Sequence, residues 1–167
     1  KEWVHCGGVQ GIVEPGEAWL VTCHESDGRP AEAVRLVSHG PFYAAFAQVE
    51  VPGVAENGNN WAQCLMYNND GTPQYFNEGT AAPNKHPGSG CCDGDASGYA
   101  CINQASGPAS WFEGTLTVPA PIASIKVATR VDCCADHMTG FEAYYLVSRV
   151  SPPPAPLPPL LLVPEPL

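Results

Sequence analysis

Basic residues are scarce in this sequence. Seven lysines and arginines face seventeen aspartates and glutamates, a net charge of −10. Nucleic acids and anionic membrane surfaces both reward clustered Lys and Arg, so neither is an expected partner. Charged residues make up only 14% of the chain, while the apolar content of 44% is ordinary for a globular protein. No apolar run approaches the length of a membrane span, and no Asn-x-Ser/Thr acceptor for N-glycans occurs. CxxC is missing as well, which removes the usual zinc and thioredoxin spacings. Nor does any segment sustain helical periodicity over three turns. The chain begins at Lys1 with neither Met nor a signal peptide and reads as a mature or excised segment.

Cysteine, by contrast, is plentiful. Eight of them (Cys6, Cys23, Cys64, Cys91, Cys92, Cys101, Cys133 and Cys134) are many for 167 residues, and the even number points to oxidised, paired cysteines in an extracellular protein. The length suffices for one domain with a real core. Turn chemistry at Glu14-Pro15-Gly16, Ser26-Asp27-Gly28 and His39-Gly40-Pro41 separates short β-prone runs at 18–22, 33–38 and 44–51. Val49 and Val51 alternate with Glu50, as on a strand with one wet face. Residues 52–90, rich in Gly, Asn and Pro, read as a long loop broken by a strand near 64–67. Strands return at 111–118, 122–129 and 141–150, so an all-β sandwich follows.

At Ser151 the composition changes. Ser151-Pro152-Pro153-Pro154-Ala155-Pro156 opens a tail with eight of the eighteen prolines, expected to run as polyproline II. The expected organisation is a β-sandwich over residues 1–150 and an extended arm over 151–167. That arm also carries Leu160-Leu161-Leu162-Val163, which ought to be buried against something.

Candidate chemistry gathers at Arg130-Val131-Asp132-Cys133-Cys134, with His137 close behind. Neighbouring side chains on a strand face opposite ways, so Cys133 and Cys134 can instead close on each other as a rigid, flat, apolar platform. Arg130 sets forked donors beside it, a combination that suits a sugar with one apolar face and a rim of hydroxyls. A structural turn with Arg130 paired to Asp132 explains the same residues. Catalytic signals are poor. Gly88-Ser89-Gly90 lacks the strand-turn-helix of a nucleophile elbow, and His24-Glu25 and Asp136-His137 are isolated polar pairs. Glu50 and Glu113 are strand carboxylates with no visible partner, so no enzyme is expected.

Taken in series, Asp93-Gly94-Asp95, Cys101, Trp111-Phe112, the strand at 122–129 and Arg130-Val131-Asp132-Cys133-Cys134 resemble the F-type lectins, a branch of the discoidin-like jelly rolls. Pieces that close that family's sequence lie here at the front: Cys6-Gly7 up to Cys23, Gly28-Arg29, and Gln48-Val49-Glu50-Val51. The resemblance thus covers most of residues 5–150 in circularly permuted order, as one permuted jelly roll or as a slice across a tandem-repeat boundary. A sandwich with adjacent ends tolerates permutation, because every contact is kept and only a connection moves.

The resemblance implies a jelly-roll β-sandwich with a sugar site at Asn103, Arg130 and His137 beside Cys133 and Cys134, where only Arg130 keeps the family's residue. It implies one Ca²⁺ held by Asp93 and Asp95 together with oxygens of Gly90, Ala100, Ala47 and Gln48, a hard-oxygen set of the kind calcium needs. It implies the disulfides Cys6–Cys23 and Cys133–Cys134. Ala47 stands where the family's partner of Cys101 belongs. Cys101 is therefore expected to find a partner among Cys64, Cys91 and Cys92, most simply Cys64, which would leave Cys91 and Cys92 as a second vicinal pair. The tail resembles the hydroxyproline-rich glycoproteins of plant and green-algal extracellular matrices. The expected function is a secreted, non-enzymatic structural subunit of a glycoprotein fibre or matrix, joined through the proline-rich arm to copies of itself or to a neighbouring repeat, with glycans as further candidate partners. The alternative is a calcium-dependent lectin of the fucose type.

Overall fold

The computed structural model of the chain describes residues 1–10, 14, 16–24, 27–38, 45–73, 91–95, 101–102, 110–129 and 140–149. These residues form ten strands and no helix: β1 (Glu2–Gln10), β2 (Ala18–Thr22), β3 (Ala31–Ser38), β4 (Ala45–Phe46), β5 (Gln48–Glu50), β6 (Trp61–Tyr67), β7 (Cys101–Ile102), β8 (Trp111–Ala120), β9 (Ser124–Ala128) and β10 (Gly140–Val147). A five-stranded sheet has the order β1-β10-β3-β8-β6, a three-stranded one β2-β9-β5, and β4 pairs with β7. Every strand pair is antiparallel. The all-β expectation holds.

Alternation along the strands decides which residues form the core. In the five-stranded sheet, one face carries the cross-strand rows Val4–Tyr145–Val34–Gly114–Cys64 and Gly7–Ala143–Leu36–Phe112–Met66. Leu36, Phe112 and Met66 have no exposed surface at all. Val21, Val49, Ile125 and Val127 from the three-stranded sheet join the same buried cluster. The two sheets therefore share one core, which is how antiparallel sheets bury one face each. Phe46, entering from β4, meets Phe112 and Phe141 edge to face at 6.4 and 6.3 Å, and Trp61 meets Phe112 at 6.5 Å in the same manner.

Both margins of this core are closed covalently. Cys6 on β1 bonds Cys23 just beyond β2, so one disulfide ties an edge strand of each sheet together, as expected. At the opposite margin Cys64 bonds Cys92, not Cys101, and the expected vicinal Cys91–Cys92 ring does not form. The reason is placement. Cys64 faces the core from the outer strand β6, and the 91–95 segment lies against it with Cα atoms 6.5 Å apart. Cys101 belongs instead to β7, opposite Phe46 of β4. Cys91 is also disulfide-bonded, and its Sγ lies 3.8 Å from the Phe46 carbonyl oxygen.

Several boundaries differ from the sequence reading. Strand β1 was not expected, because Cys6-Gly7-Gly8 interrupts the apolar pattern; the chain absorbs this with a bulge between His5 and Gly7. Part of the expected 52–90 loop is ordered structure: Val51 and Ala55 form a bridge around a tight turn, and β6 starts three residues before Cys64. Gly16 and Gly28 do sit at φ +78°, as their turns required.

Candidate functional site

The expected calcium residues fall on two abutting segments. Asp93 Oδ1 accepts the Asp95 amide at 2.9 Å, so the Asp93-Gly94-Asp95 stretch is an aspartate-capped turn. It rests directly on the Asn57-Gly58 turn. A Cβ on Gly94 (φ +86°) would lie 2.7 Å from the Asn57 carbonyl carbon, and one on Gly58 (φ +79°) 2.8 Å from the Asp93 oxygen. Only glycine permits both the positive φ and this backbone approach. On the other segment, Ala47 and Gln48 are 2% and 4% exposed, and the Ala47 amide bonds the Ala128 carbonyl. The Cys91 contact with Phe46 joins the two segments.

Gln48 is the unusual residue of this group. Neither Nε2 nor Oε1 has a hydrogen-bond partner although both are buried. Leaving such a group unpaired costs about 1–3 kcal/mol, so a partner is called for. A side-chain amide oxygen is a hard-oxygen donor of the kind calcium takes. Among the described residues no cluster of three or more His, Cys, Asp or Glu is placed to hold a metal. Gly90 and Ala100 of the expected calcium set, and Asn103, Arg130, Cys133, Cys134 and His137 of the expected sugar site, lie outside the described residues.

The two strand carboxylates read as unpartnered are in fact paired. Glu50 takes Lys126 at 3.1 Å, and Glu113 takes Arg35 at 2.8 Å. The second pair opens onto a feature that the sequence reading missed. On the outer face of the five-stranded sheet the register aligns three rows: Trp3–Leu146–Ala33–Thr115–Gln63, His5–Tyr144–Arg35–Glu113–Leu65 and Gly8–Glu142–Val37–Trp111–Tyr67. The Arg35 guanidinium lies over the Trp3 ring at 4.0 Å and over the Trp111 ring at 5.0 Å. Trp111 in turn stacks on Tyr67, with centroids 5.3 Å apart and planes within 11°. Trp3, Arg35, Trp111 and Tyr67 thus make a diagonal ladder across the sheet, its rungs held by cation–π and stacking contacts.

Beside the Trp3 end of the ladder, the start of the chain meets the end of β10. Glu2 pairs with Val147 in the register. Arg29 reaches Asp27, the Glu2 carboxylate at 2.7 Å and the Ser148 carbonyl at 3.1 Å, while Glu32 takes Lys1 and the Ser148 hydroxyl. Arg29 hydrogen bonds hold Glu2 and Asp27 below the usual carboxylate range, and the Lys1 bond does the same for Glu32. Burial pushes the Tyr144 hydroxyl up, helped by its hydrogen bond to Glu142.

A signal for the ladder was present in the sequence: Trp111-Phe112 and Tyr144-Tyr145 place aromatics at consecutive strand positions, so each pair must serve both faces. Compared with protein-family models, curated proteins and solved structures, the chain matches none of them.

Proposed function

We propose that this chain is a non-enzymatic extracellular module, a structural subunit joined to copies of itself through residues 151–167. The observation that carries the reading is the ionic clamp at the end of β10. Arg29 and Glu32 grip Ser148, so whatever force the following segment transmits passes into the five-stranded sheet. Disulfides at both margins of the core suit an oxidising compartment and a load-bearing module.

A permuted jelly roll is supported by two features. Five and three antiparallel strands about one core match the eight strands of a double-sheet jelly roll. The pairing of Glu2 with Val147 brings together ends that a short hairpin could rejoin, as permutation requires. Truncation after Val150, followed by light scattering, tests the assembly role. Loss of association with an unchanged circular-dichroism spectrum is expected, and a shortened protein that associates like the full chain ends the proposal.

The calcium-dependent lectin remains the second reading because of Gln48, whose orphaned amide supports a bound cation. Calcium bound only to the folded state stabilises it by about 2.7 kcal/mol at a hundredfold excess over Kd. The melting temperature should therefore rise in calcium, and Gln48→Leu should remove that rise. Equal melting temperatures in calcium and in chelator would discard the ion, and a blank glycan array would discard the lectin.

A further inference from the structure

The outer face of an antiparallel sheet normally reads polar, because water covers it. Here seven of its positions are Trp3, Leu146, Tyr144, Val37, Trp111, Leu65 and Tyr67, all only half-buried in the described protein. On this face Arg35 pairs with Glu113, Glu142 accepts the Tyr144 hydroxyl and lies 3.7 Å from His5, and the buried Trp111 indole N–H has no hydrogen-bond partner. Arg35 lies over the Trp111 ring and Tyr67 stacks on it, which takes the central ring of the ladder away from a sugar. What the face offers is a row of ring edges and aliphatic side chains, with its charged groups confined to the Arg35–Glu113 pair and to Glu142 beside His5. An apolar, extended, uncharged occupant fits it.

We propose that this face receives residues 151–167 of a second copy of the chain; the inference rests on the assembly reading above. The segment has the matching chemistry: Leu157, Leu160, Leu161, Leu162, Val163 and Leu167 among eight prolines, with Glu165 as its single charge. Aromatic-lined surfaces recognise polyproline II because that conformer is already extended and loses little entropy on docking. At ~3.1 Å per residue the segment reaches roughly 50 Å, ample for a ladder whose steps are 4.0, 5.0 and 5.3 Å. The geometry of departure selects the second copy. Ser148 is clamped at the end of β10, next to Trp3, so docking on its own sheet requires the chain to reverse before Pro152. Only residues 149–151 are left for that reversal, and Pro152 disfavours a turn conformation at Ser151. Docking on a second copy needs no such reversal, and each copy carries both the arm and the face. Repeated head-to-tail contact of this kind gives an open fibre rather than a closed ring.

The test uses the full chain with a photoreactive residue at position 65, mixed from isotopically light and heavy protein before irradiation. Crosslinks joining position 65 of one isotope to residues 151–167 of the other are expected. In parallel, Leu65→Lys should raise the concentration needed for association about tenfold or more, as loss of an interface anchor does, without lowering the melting temperature materially. A Val37→Lys chain provides the same reading from a different strand. Crosslinks confined to one isotope would show the arm docked on its own sheet and overturn the proposal. So would crosslinks that miss 151–167, or Lys variants that associate as the parent does. If the truncation has abolished association while these variants leave it intact, the arm joins copies through another surface and only the present inference falls.

Discussion

The two faces of the five-stranded sheet are built from the same strands, one residue out of phase, yet they are held by different physics. The inner face is apolar packing: Leu36, Phe112 and Met66 are fully buried and meet the three-stranded sheet. The outer face combines aromatics with a guanidinium, which the inner one would not tolerate without heavy desolvation cost. Arg35 is acceptable there because its rim stays partly wet, with 28% of the side chain exposed, while its plane is covered by Trp3 and Trp111. A sheet can thus carry an aromatic layer on its solvent side without becoming a second core, provided that a cation fills the gaps between the rings.

Phe112→Ala tests the inner half of that contrast and should have the largest effect. It empties the junction of the Phe46 and Trp61 rings, and a truncation of this kind costs about 3–5 kcal/mol. Thermal and urea unfolding would report it. Arg35→Ala tests the outer half. Two cation–π contacts and one half-exposed ion pair are lost, for which about 1–2 kcal/mol is expected. Arg35→Lys should recover only part, because an ammonium lacks the flat guanidinium surface. If Arg35→Ala matched Phe112→Ala in cost, the outer face would have to be counted as core.

The smallest effect belongs to the corner clamp. Glu2, Asp27 and Glu32 have carboxyl groups held below their ordinary range by Arg29 and Lys1. Because the folded-state pKa lies below the unfolded one, their contribution is full above the ordinary carboxylate range. It is lost as pH falls through the depressed values. The melting temperature should therefore decline on acidification below about pH 4, and Arg29→Gln should flatten part of that decline. These groups are at the surface, so added salt should shrink the difference between the two proteins. A difference that persists in high salt would mean that Arg29 acts through packing instead of charge.

Much of the β architecture could be read from local chemistry. The run at 18–22 coincides with β2, and the turns before and after it are marked by Gly16 and Gly28 at positive φ. Those features depend on neighbours in sequence, through φ preferences and two-residue alternation, so local residues suffice to specify them. The Cys6–Cys23 bond was also anticipated, through the family likeness. Strand β1 escaped notice because its glycines erase the alternation, and its partner Gly140–Val147 lies at the far end of the chain.

The rest was decided in three dimensions. Which cysteine Cys64 meets depends on where a loop 28 residues away comes to lie, and alternation on one strand carries no information about that. The partners of Glu50 and Glu113 sit 76 and 78 residues away, on strands brought alongside by sheet order. Gln48 looks like any strand glutamine until packing removes its water. Trp3, Arg35, Trp111 and Tyr67 come from four strands, and register alone lines them up as a ladder. By itself the sequence determined that this chain would make short antiparallel strands and cross-link cysteines, because each follows from composition or from residues close together. Sheet order and register decided which side chains meet, since contacts between distant strands depend on how the whole core closes.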